Sequence, residues 1–409
     1  SGGASTGFDS ISGGAGNDEI TVTNAATSET NLASWSIDGG AGTDTLILGV
    51  GVTDSLADTQ FANVYGIEKL KLTDTNVIVL DGNAKTAGFT TIITGTGDTT
   101  ITDIATTGPT KLIIDMVTGA GNTFTSGPGT TVPFTITADA GTTSIDLANN
   151  TAGAQAIIVP SVATTLAIEE PTTGTGTVTL TGGRSADTIT VGGGTESNAA
   201  HTFDASLVLS KVDYTSGTGS QIIKLGTAAS TVTGGADADT ITLNTATASD
   251  KVVYTALADG GDTVTNFKIG GDVIVIDGAL KTALGSSTAA VNGDPSTDPA
   301  FDTEAKAFGV VTASNNGTLT VANLKTAGYE AVATSITNAF TISDTSASTN
   351  PAVETAIFAV ESDTTGTFGL YAWTQSAADD ITVGGTELTL LGVFTADTTI
   401  TSTELTIAA

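Results

Sequence analysis

The sequence predicts an all-β fold, an elongated parallel β-helix or β-roll solenoid closed by a β-rich C-terminal cap. Three observations carry that prediction. A nonapeptide of the form G-G-x-G-x-D-x-U-x, with U a large apolar residue, occurs complete at Gly13–Thr21 and again at Gly39–Ile47. Glycine turns then recur at steps of roughly 20 to 30 residues, a period that signals a solenoid. Between the turns lie short strands of period two, among them Lys69–Leu72, Asn76–Leu80, Lys111–Ile114 and Thr177–Leu180. Such segments are too short for helices and bury one face.

Taken in order, residues 1–50 read as N-terminal coils. Ala4–Ser12 is a weaker nonapeptide, with Gly7, Asp9 and Ile11 in register with Gly16, Asp18 and Ile20. Residues 51–180 continue the solenoid without the full motif. One short helix is predicted over Asp54–Val64, capped by Asp54, with Leu56, Phe61 and Val64 on its buried side, bracing the solenoid. Parallel coils are expected here because Asn-Gly and Asp-Gly hairpin signals are rare, with an antiparallel sandwich as the alternative for the middle third. Residues 181–278 form a second roll, with degraded copies at Gly182–Thr190 and Gly234–Thr242 followed by Asp259–Phe267 and Gly270–Asp277. Residues 279–409 begin Ala-rich, with a helix expected around Tyr329–Phe340. They then turn to strands at Ala356–Val360, Phe368–Trp373 and Leu388–Leu391. Such a segment suits a cap and assembly region, since a solenoid needs its open end covered.

Composition narrows the function. The 409 residues hold 43 Asp and Glu against 12 Lys and Arg, a formal charge of -31, yet 39% are apolar. That apolar content marks a folded chain. Phosphate binding needs clustered Lys and Arg, so nucleic acid is excluded as a partner. With no cysteine there are no disulfides, thiol nucleophiles or Cys-bound zinc. No run of about twenty apolar residues predicts a transmembrane segment. No conventional N-terminal signal peptide is visible, so either such a segment has been processed or truncated or export uses another route.

The nonapeptide turns have the chemistry of a calcium site. Calcium, Ca2+, takes six to eight oxygen ligands, and backbone carbonyls serve as well as carboxylates. Glycines reach backbone angles that expose carbonyls. The aspartate at position six adds a charged ligand, and the apolar residue two places later anchors the turn. One turn cannot surround the ion, so neighbouring coils must complete the shell, and binding is coupled to folding. Calcium-binding turns are therefore expected at Gly13, Ala15 and Asp18, and at Gly40, Gly42 and Asp44, with Asp9 in the weaker copy. Asp187 and Asp239 follow Ser185 and Asp237 where the fourth glycine belongs. They read either as ligands or as exposed aspartates of vestigial turns, and Asp237 could add a carboxylate. Asp262 and Asp272 are likewise ligands or solvated turn residues.

On Gly13–Thr21 and Gly39–Ile47 the sequence resembles the repeats-in-toxin (RTX) superfamily, and within it surface-layer proteins and giant adhesins of Gram-negative bacteria. Gly260–Phe267 with Gly270–Asp272 looks like the segment that closes such arrays. Phe61–Leu72, continued by Asn83–Gly88, is similar to β-strand repeats of large bacterial surface proteins. The resemblance implies a right-handed β-roll or β-helix, calcium in the turns, and type I secretion through an uncleaved C-terminal signal, with which the ending Glu404–Ala409 agrees. It also implies lipopolysaccharide or another surface glycan as an anchoring partner, through a region not identified in this chain.

Catalysis is not expected. Glycosidases need paired carboxylates in an aromatic cleft, whereas aromatics make up 5% of the chain. Glu169-Glu170 and Asp379-Asp380 read as surface pairs. His201 is the single histidine, so His-Glu-x-x-His chemistry is excluded, and His201 reads as a loop residue. Gly3–Gly7 matches G-x-S-x-G without the strand and helix that chemistry needs. Threonine faces such as Thr99–Thr102 invite an ice-binding reading, but their spacing looks irregular. The expected function is therefore structural: an extracellular protein at the bacterial cell surface that self-assembles into a surface layer (S-layer), ordered by calcium. The alternatives are a calcium-dependent adhesin or exopolysaccharide-binding module and, behind them, a β-helix polysaccharide-degrading enzyme.

Overall fold

The structure is a computed structural model. It describes residues 9–22, 32–49, 55–73, 76–103, 112–116, 121–127, 133–138, 141–149, 154–161, 164–171, 176–192, 200–284, 290–293, 300–302, 307–312, 319–343, 355–376 and 382–408. The chain divides into two compact units, Ser1–Lys211 and Val212–Ala409. Both are built on parallel β-coils, so the chain is an all-β solenoid.

In the first unit, period-two strands stack in register from coil to coil. One parallel sheet runs through Glu19–Val22, Thr45–Leu48, Lys69–Leu72, Thr91–Ile93, Leu112–Asp115, Phe134–Thr137, Ala154–Val159, Thr177–Gly182 and Thr202–Val208. Its inward residues form one column: Ile20, Leu46, Leu70, Ile92, Ile114, Ile136, Ile157 and Leu180, all buried. A second sheet stacks Leu56, Ile78, Ile101, Phe124, Ile145, Ile168 and Val191. Each fully buried Leu or Ile stabilises by about 1.5–3 kcal/mol. A one-residue slip would turn a whole strand's set outward, so these columns hold the register. The middle third is parallel throughout its described strands, and the antiparallel alternative falls.

The helix predicted over Asp54–Val64 is corrected to a single 3-10 turn at Asp58–Phe61; Asp54 lies outside the described residues. Leu56 and Val64 are buried as expected, but in strands paired with Ile78 and Ile37. Sheet register claims both flanks and leaves one turn between them. Unforeseen by the sequence reading, Gly82–Ala87 is an α-helix ended by left-handed Gly88. The Asp58 carboxylate caps it from the preceding coil, accepting from the backbone N–H groups of Asp81, Asn83 and Ala84 at 2.8–3.0 Å.

In the second unit the coils tighten. The strands Ile222–Lys224, Thr240–Thr242, Asp262–Phe267 and Leu388–Ala396 are parallel neighbours, as are Thr231–Thr233, Lys251–Tyr254, Val273–Ile276 and Leu405–Ile407. The coil made by Asp262–Ile276 is thus continued by residues 388–407, after an excursion of more than a hundred residues. Within that excursion Phe308–Val311, Thr355–Glu361 and Thr367–Thr374 extend the sheet, antiparallel where Thr367–Thr374 meets its two neighbours. The expected helix is present at Glu330–Ala339 and buries Val332, Ala333, Ile336 and Ala339 against Phe358 and Trp373. This is the β-rich cap. The expected C-terminal signal region is built into the last coil through Leu405–Ile407.

Candidate metal centre

At the coil corners the N–H at the entry to a strand, on its first residue or the one before it, needs an acceptor. A side chain of the following coil supplies it. Asp18 N–H donates to Asp44 Oδ1 at 2.7 Å and Asp44 N–H to Glu68 Oε2 at 2.7 Å. Thr99 N–H reaches Asn122 at 3.0 Å and Phe134 N–H reaches Gln155 at 2.8 Å. In the second unit one ladder runs from Gln221 N–H to Asp239 and from Asp239 N–H to Asp262, at 2.7 and 2.9 Å. A second runs from Ser230 N–H to Asp250 and from Asp250 N–H to Asp272, at 2.9 and 2.8 Å. These bonds explain how so many carboxylates are buried.

Asp44 and Asp239 each serve the ladder through Oδ1. In both of these, and in Asp18, the oxygen Oδ2 is buried with no hydrogen-bond partner. It lies under the first glycine of its own turn. A Cβ on Gly13 or Gly39 would stand 2.8 Å from it, and one on Gly234 would overlap it. Gly14, Gly16, Gly40, Gly42 and Gly235 take positive φ, wrapping the turn around this oxygen. A buried anionic oxygen without a donor is costly, and a hard cation is the group that relieves it. Among the described residues, no three acidic or histidine side chains gather as a self-sufficient metal cluster. Backbone oxygens must therefore supply most of the shell, which is the role expected of Gly13, Ala15, Gly40 and Gly42 beside Asp18 and Asp44. The donor set fits calcium.

The remaining expected ligands divide. Asp9 sits in the strand Asp9–Ala15 opposite Trp35; its side chain is outside the described set. Asp187 is bound by Arg184 at 2.7 Å. Asp237 is exposed at φ 74°, where a glycine is expected, and accepts from Gly219 N–H at 3.2 Å. Neither Asp262 nor Asp272 is solvated: they are 1% and 2% exposed. Both oxygens of Asp272 are filled, by the N–H groups of Asp250 and Lys268, so it serves the ladder. Burial first, then the neighbouring carboxylates, push Asp239 up to about 8. Burial likewise pushes Asp262 up to about 7 and Asp250 up to about 6. Asp239 and Asp262 share the first ladder's corner, where a cation would relieve the crowding of carboxylates. Asp250, on the second ladder, has both oxygens bonded, by Ser230 and Asn244.

Sequence reasoning missed Glu68, Asn122, Gln155 and Asp250. The signal was present for two of these, Glu68 and Asp250: like Asp44, Asp239 and Asp272, they stand directly before a strand, Lys69–Leu72 and Lys251–Tyr254. Glu170 is a correction. It is buried rather than on the surface and meets His201 Nε2 at 2.8 Å, so each compensates the other's burial. His201 is in a loop, as expected. Asp379-Asp380 and Gly3–Gly7 lie outside the described residues.

Against known families, the model of the RTX calcium-binding nonapeptide repeat matches in four copies, at residues 4–22, 36–52, 172–195 and 215–245. The chain carries RTX-type calcium-binding repeats. Calcium is their ion, and the cradled oxygens of Asp18, Asp44 and Asp239 all fall within the matched RTX copies. No curated protein and no solved structure matches the chain. Among the described residues, no helix is long and apolar enough to cross a membrane.

Proposed function

We propose that this RTX-repeat chain is a secreted, non-catalytic structural protein of the bacterial surface, whose solenoid is ordered by calcium and which self-assembles into a surface layer. The observation that carries the reading is the buried, unpartnered Oδ2 of Asp18, Asp44 and Asp239 inside glycine turns. Bound calcium supplies the positive charge that these oxygens lack. The chain's own residues do the rest: the glycines make room, ladder N–H groups fix the Asp44 and Asp239 carboxylates, and the Ile and Leu columns hold the coils at sheet spacing. A formal charge of -31 opposes close packing of copies, and a divalent cation in solution offsets that repulsion.

The test is to titrate purified protein with calcium while following circular dichroism, particle size and electron micrographs. Ordered sheets or filaments that form with calcium and vanish on chelation are expected. An unchanged fold and particle size on chelation would remove the calcium half of the proposal. A calcium-dependent fold that stays monomeric would remove the assembly half and leave the adhesin reading. Release of reducing or unsaturated ends from acidic polysaccharides would overturn the structural role.

A further inference from the structure

The third matched repeat, Gly182–Thr190, departs from the other three in one respect that changes its chemistry. Its third position is Arg184, whereas the others carry Ala15, Ala41 and Ala236 there. Arg184 is the chain's single arginine. Its guanidinium grips the aspartate of its own turn in a fork, Nη2 to Asp187 Oδ1 at 2.7 Å and Nε to Oδ2 at 3.3 Å. The Thr164 backbone N–H also donates to Asp187. Both oxygens of this carboxylate are thus supplied with donors, unlike those of Asp18, Asp44 and Asp239.

The backbone of the turn is diverted too. Arg184 N–H donates to Ser210 Oγ at 2.9 Å, and the Ser210 hydroxyl donates back to the Arg184 carbonyl at 2.9 Å. The third-position carbonyl is thus taken by a side-chain hydroxyl, whereas in the second repeat the Ala41 carbonyl accepts the Gly16 backbone N–H at 2.8 Å. Positive φ falls on Gly182 and Gly183, positions one and two. In the other repeats it falls on positions two and four, at Gly14 and Gly16, Gly40 and Gly42, and Gly235 and Asp237. The turn folds around the chain's own guanidinium, which stays 44% exposed.

We propose that Arg184 replaces calcium at this repeat, so that the Gly182–Asp187 corner is a calcium-independent rung in an otherwise calcium-ordered array. The guanidinium neutralises Asp187, whose carboxyl it holds below the usual range chiefly through their hydrogen bond. Ser210 closes the carbonyl side. Because a bidentate fork has fixed geometry, a lysine cannot reproduce it. The proposal rests on the calcium reading of the other turns only for the contrast it draws.

Hydrogen exchange read by mass spectrometry on the full chain, with calcium or with chelator, tests it. In the wild type, peptides covering 177–192 should keep their protection on chelation, while those covering 13–22 and 35–48 exchange at least about tenfold faster. Arg184→Ala should make 177–192 exchange at least about tenfold faster in chelator, and Arg184→Lys should fall between. Arg184→Ala with Ser185→Gly restores the G-G-A-G-A-D turn; it should regain protection in calcium and retain one more ion per chain after desalting. If 177–192 in the wild type loses protection on chelation as 35–48 does, or if Arg184→Ala exchanges like the wild type in chelator, the proposal is wrong. If 13–22 and 35–48 ignore calcium, the calcium reading of those turns fails instead, and Arg184 is judged on its own variants. Should Arg184→Ala not fold, Arg184→Lys carries the same comparison.

Discussion

Asp44 has two separable tasks, and two substitutions pull them apart. Its Oδ1 accepts the Asp18 N–H at 2.7 Å, and its Oδ2 is the cradled oxygen under Gly39. Asp44→Ala removes both. It strands a partly buried N–H, which costs about 1–3 kcal/mol in the absence of any metal. Asp44→Asn keeps an acceptor for Asp18 but loses the charge, so without metal its stability should stay within about 1 kcal/mol of the wild type. With calcium the ranking changes. A site held at a hundred times its dissociation constant adds about 2.7 kcal/mol, and both variants should forgo that amount at this corner. Urea unfolding followed by circular dichroism and by fluorescence of Trp35, in the strand that leads into this turn, measures each term in chelator and in calcium. If Asp44→Asn kept the full calcium increment, Asp44 would not be a ligand. If Asp44→Ala matched the wild type in chelator, the ladder bond would carry no stability.

Three further outcomes are expected. The calcium-free second unit should be more stable near pH 5 than near pH 8. Asp239, Asp262 and Asp250 have folded pKa values raised to about 8, 7 and 6, so the folded chain holds extra protons below those values, and that stability is lost as pH rises through them. A melting temperature in chelator that is flat or rises with pH would contradict this, and calorimetry in buffers of different ionisation enthalpy should register proton release on calcium binding. Gly40→Ala should destabilise more than Gly14→Ala. Both sit near φ +100°, a strain of about 1–3 kcal/mol, but a Cβ at Gly40 also collides with the Gly14 carbonyl, whereas at Gly14 it meets nothing within 4 Å. Equal urea midpoints would show that the coils do not stack as closely as described. Asp58→Ala should cost about 1–2 kcal/mol through the uncapped Gly82–Ala87 helix, lowering the urea midpoint; an unchanged midpoint would assign the cap to solvent.

Most strands were legible because burial of one face writes a period of two into residues such as Asn76–Leu80 and Thr177–Leu180. The cradles of Asp18 and Asp44 were legible because a glycine turn around a carboxylate needs glycines at fixed positions. What escaped depended on partners far along the chain. Glu170 reads as surface until His201 arrives beside it. Helix Gly82–Ala87 is short, glycine-started and capped by Asp58 from another coil, so no local signal announces it. The Asp54–Val64 helix failed for the converse reason: an amphipathic pattern was present, but Ile78 and Ile37 claim Leu56 and Val64 for sheets. Arg184 stands in a recognisable repeat, yet its fork on Asp187 follows from a backbone that the one-letter pattern does not specify.

The break between Asp262–Ile276 and its neighbour Leu388–Ile407 bears on kinetics. Up to Ile276 a coil forms against one already in place, some 18 to 26 residues away, so folding spreads by short steps. The final rung instead draws contacts across sequence separations of 128 to 134 residues, from Ile269 to Asp397 and from Gly270 to Glu404. Closing a loop of that length costs more chain entropy than adding a coil, and contacts so distant slow folding. That junction is where refolding should stall and where a growing array waits for its latch.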